Sequence, residues 1–362
     1  MGKSSTKKVC IVVSSLGVGG AEKSAALLSE ILFELGYDVH IISILDKIDY
    51  SYKGILLNLG KLKAVDDTSF GRLKRLLVFR NYLRQKKFDY IIDSRPRRGV
   101  LKEFILSRII YNPNKIIYCV RSFKTDTYIN PNRFLGRLLY GSAYKIVSVS
   151  NGICNKLKAL YGFNNLEVIH NPFEEKLLLP RNEEHKEGKF ILYYGRLDDA
   201  VKNISFLLEA YSKSNLPKEG YKLNILGDGK DKVALKNLAV KLKVQSHVEF
   251  LGFKPNPYQL VKNAYFTVLT SRYEGFPRVI VESLALGTPV ISVNCESGPN
   301  EIVINDYNGI LVENHNIEAF TNAMNRMIND KELYLHCKSN AKVSVKKFSK
   351  NEIGRQWQAL LK

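Results

Sequence analysis

The chain has 362 residues, 45% of them apolar, and a formal net charge of +20. That length and apolar content suffice for two domains of ordinary size with separate cores. No stretch reaches the roughly 18 apolar residues of a membrane-spanning helix, and the five cysteines, Cys10, Cys119, Cys154, Cys295 and Cys337, lack the spacing of a disulfide framework or a zinc site.

In chain order, MGKSST fits a loose N-myristoylation pattern. The apolar run that follows is short and leads into a glycine-rich loop, so it reads as a first strand and not a signal peptide; the expected location is cytoplasmic. Strand-like runs then alternate with helical ones. VCIVVSSL is followed by a helix from about Ala21, VHIISIL by a basic helix over Phe70–Phe88, YIID by a helix around Val100–Ile110, and then come KIIYCV and KIVSVS. The polar stretch Glu174–Lys189 reads as a linker. Alternation restarts with FILYYG, a helix around Ile204–Lys213, KLNILG, a helix around Asp231–Leu242, VEFLG, AYFTVLT, a helix ending at Gly287, and PVISV. The expected class is α/β, with parallel sheets covered on both faces and ligands at the carboxyl ends of the strands. The tail Asn351–Lys362 reads as a helix carrying the only tryptophan, Trp357. Cys10, Cys119 and Cys295 fall in strand-like runs and read as small core residues.

Charge is unevenly distributed. Between Gly71 and Lys145 there are 18 Lys and Arg against four acids, Asp89, Asp93, Glu103 and Asp126. Phe70–Phe88 carries Leu73, Leu76, Leu77 and Leu83 on one face with cations around them, a pattern that makes an anionic membrane surface the expected partner, with a core helix bearing a solvated basic back as the alternative. No zinc-finger, RNP-type or helix-turn-helix signature accompanies the charge, so no nucleic-acid partner is expected.

Two glutamates eight positions apart mark the segment Ser271–Gly287, SRYEGFPRVIVESLALG. Glu274 lies in a loop, Pro277 fits the first helical position, and Gly287 fits a left-handed stop. Glu282 sits in an apolar run; a carboxylate there must be paired or hydrogen-bonded, by a cap or salt bridge within the core or by the vicinal diol of a ribose. Upstream, in GRLDDAVKN (Gly195–Asn203), Arg196 and Lys202 bracket a short loop after a strand, where two cations can neutralise a diphosphate or pair with Asp198 and Asp199. The loop SLGVGGAE can bring backbone N–H groups to a phosphate, but it lacks the third glycine of G-x-G-x-x-G, which makes a nicotinamide-dependent oxidoreductase a poor alternative. Asp198-Asp199 and Asp66-Asp67 are adjacent pairs in loops and not a D-x-D between strands, so no metal site is expected.

GRLDDAVKN, SRYEGFPRVIVESLALGTPVI (Ser271–Ile291) and SGPNEIV (Ser297–Val303) together resemble the motifs of the retaining glycosyltransferases of family 4, of the bacterial surface-polysaccharide type. Weaker carriers are GVGGAEKS, VIHNPF, LGDG, LGF and NGILV, in the family's order and spacing. The resemblance implies a GT-B fold, two doubly wound Rossmann-like domains facing a cleft: an acceptor domain over residues 1–178, a nucleotide-sugar donor domain over 188–345, and a last helix, 346–362, crossing back to the first domain. It also implies that the loop with Gly19 and Gly20 approaches the donor phosphate. Arg196 and Lys202 would bind the donor diphosphate, Glu274 the hydroxyls of the transferred sugar and Glu282 the nucleotide ribose. The Gly275-Phe276-Pro277 backbone would face the sugar, and Ser297, Gly298 and Glu301 would line the donor pocket, or else shape a turn. LGDG would frame the base.

One position departs from the family. Many members have a histidine after a strand in the first domain, where KIIYCVRSFKTD presents Arg121 and Ser122. Arg121 stays charged and cannot act as a base, which leaves an electrostatic or positioning role in catalysis. His40, His170 and His185 do not replace the missing group. Arg95, Arg97 and Arg98 also follow a strand end, as anion ligands or as ordinary surface charge. The implied activity is metal-independent transfer of a hexose or N-acetylhexosamine, without a cofactor, from a UDP-linked or other nucleotide sugar to a glycan or lipid-linked acceptor with an α linkage. The implied place is the inner face of the cytoplasmic membrane, in capsule, O-antigen or lipopolysaccharide synthesis. A non-catalytic basic membrane- or nucleic-acid-binding protein is the alternative.

Overall fold

The computed structural model describes residues 6–17, 19–178 and 188–362. Most of MGKSST, His185 and the centre of the expected linker lie outside the described residues. The chain divides into two compact units, Met1–Pro172 with Lys350–Lys362, and Phe173–Ser349. These boundaries differ by a few residues from those expected at 178 and 345. The turn Glu175–Leu177 packs on the helix Arg278–Leu286, and the Phe173 N–H donates to Phe348 O at 3.2 Å.

The first unit is built on seven parallel strands: β1 (Lys8–Val13), β2 (Asp38–Ser43), β3 (Ile55–Asn58), β4 (Tyr90–Asp93), β5 (Ile116–Val120), β6 (Lys145–Ser148) and β7 (Leu166–Val168), in the order β3-β2-β1-β4-β5-β6-β7. The second has six: β8 (Phe190–Tyr194), β9 (Lys222–Leu226), β10 (Val248–Gly252), β11 (Thr267–Leu269), β12 (Val290–Asn294) and β13 (Gly309–Glu313), in the order β10-β9-β8-β11-β12-β13. Each order reverses once, beside β1 and beside β8, and such a reversal opens a crevice at the carboxyl ends of the strands. The expected α/β, doubly wound class holds in both units. β3, β7 and β13 were not anticipated as strands: ILLN and LEV are short edge strands with no buried residue, and GILVE is the edge strand of the second sheet.

Strands buried on both faces need continuous apolar runs, which KVCIVV and FILYY supply. The last helix, Lys350–Leu360, places Ile353 and Trp357 in the core of the first unit with Val9, Ile11 and Leu28. Cys10, Cys119 and Cys295 are buried free thiols. The basic helix runs Ser69–Lys86; Thr68 Oγ1 caps it by accepting from the Gly71 N–H at 3.2 Å, and Lys87 ends it in the left-handed conformation at φ 52°. The helix after β4 is α-helical over Val100–Ile105 and continues as a π turn, Leu106–Ile110.

His40, in β2, is 2% exposed; its Nδ1 lies 2.6 Å from Tyr82 Oη and its Nε2 3.3 Å from Asp38. Burial lowers its pKa from 6.5, assisted by Lys86 and opposed by Asp38. The folded state thus holds fewer protons than the unfolded one just below pH 6.5, so His40 contributes its full stability above that pH and loses it as the pH falls through the window. The thermal midpoint of the wild type is expected to decline on acidification below pH 6.5, and the decline should be shallower in His40→Gln.

Candidate active site

The loops that follow β8, β9 and β11 interlock in the second unit. The Gly195 N–H donates to Leu226 O at 2.9 Å, and the Leu197 N–H to Asp228 O at 2.9 Å. Gly227, at φ 143°, lies so close that a methyl group there would collide with Gly195 O, so LGDG braces the loop GRLDDAVKN. Asp198 pairs with Lys230 at 3.3 Å, and Asp199 accepts from the Ser205 N–H and Oγ, each at 2.8 Å. Neither acid is spent on Arg196, which is exposed and has no ion-pair partner among the described residues.

Lys202 ends the short helix Asp199–Lys202, and its Nζ meets Glu274 Oε1 at 2.6 Å. Ser271 Oγ donates to the same oxygen at 2.6 Å, and the Glu274 N–H donates to Glu296 O at 2.8 Å. The Lys202 and Glu274 side chains are 20% and 13% exposed, so the pair is partly desolvated yet within reach of solvent. An ammonium there, beside an exposed guanidinium on the same loop, can take up an anion.

The glutamate-bearing helix spans Arg278–Leu286. Pro277 is its N-cap and not its first residue, and Gly287 closes it at φ 89°. Glu282 is 6% exposed, and its Oε1 accepts from Arg278 Nη2 at 2.9 Å. The salt-bridge alternative is therefore realised; because a carboxylate accepts up to about four hydrogen bonds, it is compatible with a diol as well. Tyr194 Oη donates to Val279 O, and burial, with the Glu282 carboxylate, pushes this phenol well above its ordinary pKa.

Ser297 Oγ donates to Gly275 O at 3.2 Å. Gly298 has φ 101°, and a Cβ there would lie 2.8 Å from Pro277 Cδ and 2.9 Å from Gly275 O, so the SGPNEI loop is seated on the Gly275-Phe276-Pro277 backbone. The Phe276 side chain is buried edge-on to Phe348, 5.0 Å between centroids. Glu301 lies in the four-residue helix Pro299–Ile302, and its N–H donates to Gly298 O at 3.0 Å. Among the described residues no three His, Cys, Asp or Glu side chains converge as a metal site would require.

In the first unit Gly19 precedes the helix Gly20–Glu34, and a methyl on it would strike the Glu22 carboxylate. The helix N-terminus thus already has an acid beside it. Arg121, after β5, is half-buried; it donates from Nη1 to Asn171 Oδ1 at 2.9 Å and from Nη2 to Ser94 Oγ at 3.1 Å, while its buried Nε has no partner among the described residues.

Arg95 and Arg97, two of the three candidate anion ligands after β4, are internal structure. Arg95 clamps Asp93 through Nε at 3.0 Å and Nη2 at 2.6 Å, and Tyr111 Oη donates to Asp93 at 3.1 Å. Arg97 donates to Tyr128 O, Asp93 O and Cys119 O, with its guanidinium over the Tyr118 ring at 4.8 Å. Both are under 5% exposed, and only Arg98 of the three is exposed. Burial opposes ionisation of Asp93, but Arg95 and Arg97 prevail and hold its carboxyl below the usual range.

Ser271, Thr270 and Arg278 were not singled out from sequence. Thr270 Oγ1 donates to Lys202 O at 3.0 Å and so fixes the end of the short helix. The only available signals were the Ser three residues before Glu274 and the Arg four before Glu282.

A family model described as glycosyl transferases group 1 matches residues 175–344. The chain is 30% identical to the N-acetylgalactosamine-N,N'-diacetylbacillosaminyl-diphospho-undecaprenol 4-alpha-N-acetylgalactosaminyltransferase of Campylobacter jejuni, over 96% of this chain and 98% of that protein. It is 27% identical to the amylovoran biosynthesis glycosyltransferase AmsD of Erwinia amylovora, over 90% of this chain and 91% of that one. Among solved structures, HepE of Anabaena in complex with UDP superposes with a TM-score of 0.79 at 19% identity, over 98% of this chain and 99% of that one. Likeness that runs nearly end to end with the Campylobacter enzyme, and a family match laid over the unit that carries Lys202, Glu274 and Glu282, lead to one conclusion: the chain belongs to the group 1 glycosyltransferases and has their GT-B fold.

Proposed function

We propose that the chain is a retaining, metal-independent hexosyltransferase of bacterial surface-polysaccharide biosynthesis. It moves a hexose or N-acetylhexosamine from a UDP-sugar to a glycan or lipid-linked saccharide and forms an α-glycosidic bond. The observation that carries this reading is the Lys202–Glu274 pair at 2.6 Å, beside the loop that presents Arg196 without an ion-pair partner among the described residues. The names of the relatives agree: the Campylobacter enzyme acts on a diphospho-undecaprenol-linked saccharide and makes a 4-alpha linkage.

In this mechanism Arg196 and Lys202 neutralise the diphosphate as its bond to the sugar breaks, the role that otherwise falls to a metal ion. Glu274, released from Lys202 by the incoming diphosphate, accepts from hydroxyls of the transferred sugar. Glu282 accepts from the ribose, the Gly275–Pro277 backbone lies against the sugar, and Ser297, Gly298 and Glu301 shape the donor pocket. Gly19 and Gly20 offer amides to a phosphate. No protein base is required, because the departing diphosphate oxygen takes the acceptor's proton on the face where the new bond forms. Arg121 acts by charge and position.

The basic first unit would hold the enzyme peripherally on the inner face of the cytoplasmic membrane. No helix among the described residues is long and apolar enough to cross a membrane. The test is transfer from UDP-glucose, UDP-galactose and their N-acetyl forms to a synthetic lipid-diphosphate saccharide, with EDTA present and the product read by NMR. An α-linked product formed in EDTA is expected. A β-linked product, or transfer abolished by EDTA and restored by a divalent cation, would overturn the mechanism.

A further inference from the structure

The first unit contains a cavity of about 750 Å³, within the range of small-ligand sites. It lies between the helices Ser69–Lys86 and Val100–Ile105 and the ends of β2 and β4, and Leu45, Leu59, Leu76, Phe79, Ile105 and Leu106 line it. Leu73 and Leu101 line it too and are 53% and 75% exposed, so the groove opens at the surface. Lys63, Arg72, Arg75 and Lys102 also border it, against a single acid, Asp67. Arg75, Arg72 and Lys63 share that carboxylate at 2.7, 3.7 and 3.9 Å, which leaves this edge of the groove positively charged.

Apolar side chains outside the lining of the groove are exposed as well. Phe70, Leu77 and Phe104 on the same two helices are exposed, as are Ile109 and Phe134. The chain passes from β3 to β4, β5 and β6 in one direction across the sheet, and right-handed crossovers place the intervening helices on one face. Exposed apolar side chains concentrated on one face around a trough mark an interaction site. A bare glycan would leave the trough wetted, and the leucine-lined walls offer nothing to a nucleic acid. An amphiphile with one apolar chain and an anionic head satisfies both the walls and the rim.

We propose that this groove binds the proximal part of a polyprenyl chain whose phosphate lies at the Lys63, Arg72 and Arg75 edge. The identity of the amphiphile rests on the lipid-linked acceptor reading above. The groove is thereby a recognition element for the lipid itself, distinct from general attraction of the basic surface to a membrane.

The test uses the full chain and farnesyl diphosphate below its micellar concentration, titrated calorimetrically beside farnesol and inorganic pyrophosphate. Leu73→Glu, Leu101→Glu and Arg72→Glu alter exposed positions and should fold, with UDP binding as the control. Farnesyl diphosphate is expected to bind at least about tenfold tighter than either half-molecule, and each variant should lose about tenfold or more. Equal binding of farnesyl diphosphate and pyrophosphate, or unchanged binding by the variants, would overturn the proposal. So would a concentration-dependent dimer that Leu101→Glu disperses while farnesyl diphosphate fails to bind, which would give the groove to a second copy. Because no donor is present, the outcome is independent of transfer: turnover on soluble glycans alone, with farnesyl diphosphate still bound, would refute the lipid-linked acceptor and leave the groove a lipid site.

Discussion

Replacing Lys202 with Ala is expected to lower kcat by about 10²–10³-fold, the usual cost of removing one preorganised charge that meets negative charge developing in the transition state. Its partner makes the prediction sharper. Lys202 and Glu274 are 2.6 Å apart, so each truncation also leaves the other charge unpaired. The effects should therefore not add: Glu274→Ala with Lys202→Ala should be little worse than the more damaging single change. Stability should fall by less than the roughly 3–5 kcal/mol of a fully buried pair, because both side chains keep some contact with solvent. Steady-state kinetics of the four proteins and their thermal midpoints check this. Additive losses would mean that the two residues act independently, and a large drop in midpoint would make the pair structural.

Asp93→Ala should act in the opposite way, through folding. Asp93 is fully buried and holds the Arg95 guanidinium at two points, with Tyr111 as a third partner. Removing the carboxylate takes both short hydrogen bonds from a buried guanidinium and leaves it only Glu103, at 3.7 Å; breaking such a pair costs about 3–5 kcal/mol, and the remaining acid places the loss at the lower end. The first unit should then unfold separately, at lower temperature than in the wild type. Arg98→Ala, at an exposed position, should stay within about 0.5 kcal/mol. The pH dependence has a definite sign: the folded pKa of Asp93 lies below 3.8, so its contribution is present above that value and is lost as the pH falls through the folded pKa. Calorimetric scans of the three proteins provide the measurement. An Asp93→Ala chain with wild-type melting and a raised acceptor KM would restore this cluster to the binding surface.

These two expectations mark the limits of what could be read before the fold was known. The doubly wound class was legible because strands such as KVCIVV and FILYY, buried on both faces, need unbroken apolar runs. β3 and β7 were not, since edge strands of three or four residues carry little apolar pattern. Glycine spacing foretold Gly287 at φ 89°, a purely local requirement. The Lys202–Glu274 contact spans 72 positions and depends on β8 and β11 being neighbours, which no local spacing reports. Arg95 and Arg97 misled for the same reason: in IIDSRPRRG they look like surface charge or anion ligands, and only the packing of Tyr111, Tyr118 and Tyr128 around the end of β4 turns them inward. The apolar groove was half visible, as leucines on a basic helix, but its second wall comes from the helix that follows β4.

In the proposed mechanism the second unit binds a nucleoside diphosphate sugar through Glu282 and the cations of the β8 loop without a metal. This binding is tested most directly by calorimetric titration of UDP, in EDTA, into the wild type, Glu282→Ala and Arg278→Ala. Binding by the wild type, weakened about tenfold or more in Glu282→Ala and largely kept in Arg278→Ala, is the expected result, since a hydrogen bond to a charged group contributes about 1.5–3 kcal/mol. UDP binding that is indifferent to Glu282, or equally lost when only its ion-pair partner Arg278 is removed, would overturn the ribose-binding role and reduce Glu282 to half of a structural salt bridge.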